Sequence, residues 1–352
     1  MENLLFKLAD VNMEPIEGIQ LRHPERLLGQ LCINRVGGIA YRNLEKIDGL
    51  DTHNEFINTL KAIYEQNLQK TDIFFQHMRY VTKILKNADF AYALLKGALL
   101  TTKLYEKGLR TSNDLDILIE EKDISKCQKL FIENGFVQGS YERGKGIIPA
   151  TRSEILMSRM NYGETIPLVK IVEGELLQVD INFSVDFKPV GESNIVNKLL
   201  ENCVEIEKDD IKFYTLDLYE FLIHLSCHLY KEATTYDWVK DNRDLQLYKF
   251  SDINVFVQNY GTLIFFRKFM DKVRDYGVEK ECYYTLYNMR EIFPKINKVV
   301  GFKELLEKMQ PDDCSFMKQI IEPVTGKLYA YKMDFIDWFL NEKRTSCLKE
   351  VM

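Results

Sequence analysis

Asp114 and Asp116 stand two apart in Asp114-Leu115-Asp116-Ile117-Leu118, an apolar run that reads as a strand. Successive strand side chains point to opposite faces, so the two carboxylates project from one face. Held that close they repel, and a protein tolerates such a pair where a cation neutralises it. The pair reads as a Mg²⁺ site. A third carboxylate lies in Leu176-Leu177-Gln178-Val179-Asp180-Ile181-Asn182-Phe183, where apolar and polar residues alternate and Asp180 takes the middle of the polar face. Asp186 is a nearby alternative; the place of Asp180 inside the alternating strand favours it. In metal-dependent phosphoryl and nucleotidyl transfer such a third carboxylate helps clamp the metals and can accept the attacking hydroxyl's proton.

Cations flank this set. Lys96-Gly97 follows an apolar stretch and precedes a helical one, where a buried ammonium is costly unless an anion visits. Arg110 follows Gly108-Leu109 at a helix exit and has two readings: it caps the last carbonyls, or it neutralises a triphosphate and orients the carboxylates. His224 and His228 have the i, i+4 spacing of a zinc pair, but Leu225 stands where the zinc motif has Glu, so His224 reads as structural. The stretch from Gly139 to Gly146 nearly spells a phosphate-binding P-loop. Gly146 replaces its Ser/Thr and Pro149 interrupts the helix that should follow, so it reads as a chance match in a flexible loop. Arg143, Lys145 and Arg152 there read as solvated charges or as a basic lid.

These residues resemble the nucleotidyltransferase superfamily with the DNA polymerase β-like catalytic fold, and within it the bacterial family of uncharacterised nucleotidyltransferases. The family pattern LLKG…R…D-x-D-x-L is met by Leu94, Leu95, Lys96, Gly97, Arg110, Asp114, Asp116 and Leu118. A helical H-L-x-K segment followed by Asp-Leu is met by His228-Leu229-Tyr230-Lys231 and Asp244-Leu245. The resemblance implies a strand over 90–95, a turn at Lys96-Gly97 and a helix over 98–107. It also implies Asp114, Asp116 and Asp180 as catalytic ligands of two Mg²⁺ ions, and Lys96, Gly97, Arg110, His228 and Lys231 as nucleotide-binding residues, with Asp244 orienting His228 or Lys231. Ala98 stands where many relatives have Ser or Gly, so phosphate binding would rely on Lys96, backbone N–H groups and the positive end of the following helix. The expected reaction moves a nucleoside monophosphate, with ATP as the default donor among NTPs, to a hydroxyl or similar group of a small molecule or peptide, releasing pyrophosphate. Two rivals stand beside it: an AMP-transferring toxin or regulator that modifies a protein, and a non-catalytic scaffold that retains the fold.

The elements that must position this chemistry read as α+β: a small mixed nucleotidyltransferase sheet with flanking helices, between N-terminal and C-terminal helical lobes. Helical stripes run through Leu27, Leu28, Leu31 and Cys32, through Phe56, Ile57, Leu60, Ile63 and Tyr64, and from Phe74 to Leu85. A helix over 124–134 should stop at Gly135, and strands over 166–172 and 176–185 should form a hairpin around Glu173-Gly174. Helices are expected over 219–230, 255–273 and 316–321, and an amphipathic one over 329–351. The expected divisions are 1–88, 89–190 and 191–352.

With 47 basic against 53 acidic residues the formal net charge is −6, which disfavours a broad nucleic-acid footprint and favours a small molecule or a locally met protein surface. No apolar stretch approaches bilayer length, and the start lacks a signal-peptide pattern. The seven scattered cysteines contain no C-x-x-C pair and read as reduced thiols of a cytoplasmic protein without structural zinc.

Overall fold

The structure, a computed structural model, describes residues 2–161, 163–185 and 195–351; Asp186, the alternative third carboxylate, lies outside them. The chain forms two compact units, one of Met1–Gln69, Leu104–Arg110 and Leu225–Met352, the other of Lys70–Lys103 and Thr111–His224. This differs from the three consecutive divisions expected. Helices from the two ends of the chain share one unit, and the sheet keeps the end of the helix Asn54–Leu85. An amphipathic stripe is buried against whichever apolar face complements it, whatever the sequence separation.

The sheet unit is built on β1 (Tyr92–Leu94), β2 (Leu115–Ile119), β3 (Val137–Glu142), β4 (Gly146–Pro149), β5 (Leu168–Val172) and β6 (Glu175–Asn182). The six strands lie in the order β1-β2-β6-β5-β3-β4. Only β2 and β6 pair in parallel. β5 and β6 form the expected hairpin, turning through Glu173 (φ 52°) and Gly174 (φ 89°), the two left-handed residues that a two-residue hairpin turn needs. A second hairpin, β7 (Cys203–Lys208) and β8 (Ile211–Leu216), is tied to β1 by Thr215 Oγ1, which donates to the Leu94 carbonyl at 2.7 Å.

The alternation of β2 and β6 sorts their side chains. Leu115, Ile117 and Ile119 of β2 and Leu177, Val179 and Ile181 of β6 enter one core with Phe74, Phe75, Met78 and Val81 from the helix Asn54–Leu85 and with Ile124, Cys127 and Phe131 from the helix Ile124–Glu133. The intervening residues Asp116, Gln178, Asp180 and Asn182 therefore share the other face. The helix Ile124–Glu133 ends as expected: Gly135 is left-handed, and the Phe136 N–H returns to the Phe131 carbonyl at 3.1 Å.

Several elements depart from expectation. The P-loop-like stretch is the β3–β4 hairpin, not a flexible loop, and the helix expected over 98–107 is Gly97–Lys103. Two separate stripes before residue 86 belong to one 32-residue helix, Asn54–Leu85. The helix expected over 255–273 is two, Leu247–Tyr260 and Leu263–Tyr276, because Thr262 Oγ1 accepts from the Phe265 N–H and starts a new helix after Gly261. Residues 316–321 form a 3₁₀ turn and then a strand, Gln319–Glu322. That strand pairs with Lys327–Ala330, which pairs in turn with Lys349–Glu350; near the C-terminus the α-helix is Phe335–Leu340, followed by a 3₁₀ turn over Arg344–Cys347. Backbone groups satisfied by antiparallel neighbours have no need of helical bonds, and local periodicity does not report those neighbours. Among the described residues no helix is long and apolar enough to cross a membrane.

Candidate functional site

Parallel pairing of β2 with β6 sets Leu115 opposite Val179 and Asp116 opposite Asp180. Two carboxylates thus spring from the same face of adjacent strands, which run about 4.8 Å apart. Asp116 is 8% exposed. Asp114 is not on the strand but in the bend one residue before it, half-buried, with its charge still acting on Asp180.

β1 brings a lysine to this pair. The Leu95 N–H donates to the Asp116 carbonyl at 2.9 Å, and the chain then turns at Lys96, whose φ of 41° is left-handed. A non-glycine residue adopts that conformation at some cost and persists there where its surroundings hold it. The Lys96 Nζ lies 2.7 Å from Asp116 Oδ1, and Asn182 Nδ2 donates to the same oxygen at 3.3 Å. Gln178 Nε2 donates to both oxygens of Asp180, at 3.1 and 3.2 Å.

Burial, and after it the charges of Asp116 and Asp114, hold the Asp180 carboxyl well above the usual carboxylate range against the opposing Gln178 bond; Glu164 adds to the same push. Carboxylate oxygens beside an amide are the donors a hard divalent cation takes, and the accumulated negative charge suits one. Asp114, Asp116 and Asp180 therefore fit such an ion chemically. Among the described residues, however, no three His, Cys, Asp or Glu side chains are gathered as a metal ion requires.

The remaining expected residues have partners of their own. Arg110 belongs to the helical unit; its Nε is 2.8 Å from Asp252 Oδ1 and its Nη2 3.0 Å from Oδ2. A guanidinium fork matches a carboxylate in this way, and a buried cation requires such a partner. His228 and Lys231 also belong to the helical unit, where His228 Nε2 is 3.4 Å from Glu232 Oε2 and Lys231 is buried. Asp244, expected to orient one of them, accepts from Arg344 Nη2 at 2.7 Å. Lys145 pairs with Glu142 at 2.6 Å, and Arg143, Lys145 and Arg152 are exposed.

Gly97 opens the helix Gly97–Lys103, which has only seven residues and a correspondingly small dipole. A cleft of about 480 Å³ in the same unit is lined by Lys86, Phe90, Tyr92, Lys212 and Tyr214 among others, and includes none of the three carboxylates.

Sequence reasoning assigned no role to Gln178, Asn182 or Glu164. The spacing of two residues on either side of Asp180 was a sufficient signal for the first two. Glu164 reaches the neighbourhood through its bridge to Asn182, a long-range pairing with no local signature.

No curated protein matches the chain. A family model described as uncharacterised nucleotidyltransferase matches residues 21–294, a span that includes Lys96, the three aspartates and the H-L-x-K segment. The chain belongs to the uncharacterised nucleotidyltransferase family and is, as a member, an enzyme of the transferase class.

Proposed function

We propose that the protein moves a nucleoside monophosphate, AMP from ATP in the first instance, to a hydroxyl of a small molecule or peptide, with Mg²⁺ as its metal. The observation that carries this reading is the register of Asp116 against Asp180, which concentrates carboxylate charge on one face of two adjacent strands. Asp114, Asp116 and Asp180 would hold the divalent ions, which would neutralise phosphate charge and lower the acceptor hydroxyl's pKa. The acceptor oxygen bonds to the α-phosphorus as the bond to pyrophosphate breaks, and Asp180 takes the hydroxyl proton. Lys96 neutralises the departing pyrophosphate. The net charge of −6 supports an acceptor other than nucleic acid, and the free cysteines fit a cytoplasmic setting.

Thermal unfolding with each of the four NTPs, with and without Mg²⁺, tests the reading in wild type, Asp116→Asn and Asp180→Asn. A nucleotide that raises the midpoint only with Mg²⁺, in wild type and in neither variant, is the expected result. An equal rise in the variants would overturn the site. The responding nucleotide then serves in a pyrophosphate-release screen of hydroxyl acceptors.

A further inference from the structure

We propose that Lys96 is a built-in counter-ion that occupies the Asp116 end of the cation site in the resting protein and must be displaced when a divalent cation binds. The inference rests on the reading that Asp114, Asp116 and Asp180 hold that cation. The Lys96 ammonium stands 2.7 Å from Asp116 Oδ1, with the two side chains only 18% and 9% exposed. A divalent ion such as Mg²⁺ would bind that oxygen at about 2.0–2.1 Å, so ammonium and metal compete for the same acceptor and repel each other. Asn182 donates to Oδ1 as well, so two donors converge on one oxygen.

The backbone contributes to the placement. The Leu95 bond to the Asp116 carbonyl fixes the end of β1 against β2, and the left-handed turn at Lys96 starts the side chain from there. Metal entry then has two consequences: it takes Asp116 from the lysine, and it releases an ammonium beside the place where phosphates arrive. The same lysine is thus a latch before the metal binds and a phosphate contact afterwards.

The test uses the full chain without nucleotide. Mn²⁺ affinity is measured from the free-ion paramagnetic resonance signal in wild type and Lys96→Met, and amine labelling of Lys96 is read by mass spectrometry with and without Mg²⁺. If the latch is closed about nine-tenths of the time, its removal tightens Mn²⁺ binding about ten-fold. Labelling of Lys96 should rise with Mg²⁺ in the wild-type protein, while that of Lys170, held by Tyr80 and the Asn134 carbonyl, stays constant. The second measurement needs no variant to fold, and it separates a displaced lysine from a cation site made stronger merely by removing a positive charge. Mn²⁺ binding that Asp180→Asn abolishes, together with Lys96 labelling that Mg²⁺ leaves unchanged, would overturn the latch and leave the metal site standing. No Mn²⁺ binding to either protein, with or without ATP, would overturn both.

Discussion

Asp116 and Asp180 are register partners of one element type, yet isosteric neutralisation should change stability in opposite directions. Asp116→Asn removes the carboxylate that Lys96 contacts at 2.7 Å, with both side chains largely buried. Losing that partner costs the mostly buried ammonium about 2–4 kcal/mol after allowance for its residual exposure, and because the same substitution also relieves the repulsion between Asp116 and Asp180, a net loss of about 1–2 kcal/mol is expected. Asp180→Asn instead removes a charge that faces Asp116 across the sheet and feels Asp114 besides. Two unit charges about 5 Å apart at an effective dielectric of about 20 repel by about 3 kcal/mol. Partial protonation and the nearby Lys96 reduce this, so a net stabilisation of about 1–2 kcal/mol is expected. Urea unfolding in EDTA at pH 8 measures both variants, and repetition in millimolar Mg²⁺ should favour wild type over each. If Asp180→Asn destabilises the metal-free protein as much as Asp116→Asn does, then Asp180 is held chiefly by its Gln178 bonds and the repulsion argument fails.

Arg110→Met breaks the buried pair with Asp252 and should cost about 3–5 kcal/mol in urea unfolding. Burial and the neighbouring Glu220 raise the Asp217 carboxyl to about 6, so the native state holds a proton that the unfolded chain gives up near pH 4. That contribution is fully present below pH about 4 and is lost as pH rises through about 6. Asp217→Asn keeps the cap on the Tyr219 and Glu220 N–H groups and should flatten this decline when stability is measured across that range. Gly38→Ala would set a Cβ 2.2 Å from the Gly108 carbonyl oxygen; the helix Gly37–Leu44 would have to shift, and the thermal midpoint should fall despite the better helix propensity of Ala. Glu173→Asn, at a left-handed turn position that Asn tolerates, should raise stability by about 0.5–1 kcal/mol in urea unfolding.

Local rules determined what they physically govern. The alternation in Leu177, Gln178, Val179, Asp180 and Ile181 assigned faces to β6 because strand side chains have a period of two, and the structure buries the apolar set in the core. Glu173-Gly174 determined a hairpin, and Gly135 a helix end, because both need left-handed backbone at those positions. Asp114 and Asp116 were legible as a candidate carboxylate pair from their spacing, and the family pattern, Lys96 included, from its order of residues.

Tertiary structure decided the partners. That Asp116 faces Asp180 depends on parallel pairing of β2 with β6, strands separated by the whole stretch 120–174, a register carried by no local motif. Arg110 stands only four residues before Asp114, but its partner is Asp252, because a buried guanidinium is satisfied by the carboxylate that packing brings to it and not by the one nearest in sequence. The C-terminal strands were likewise invisible to periodicity, since the ladder that stabilises them comes from neighbouring strands. Sequence alone determined which residue types are present and which face each occupies within its own element; three-dimensional packing determined which charges meet, because Coulomb energy and hydrogen bonding depend on distance in space and not on separation along the chain.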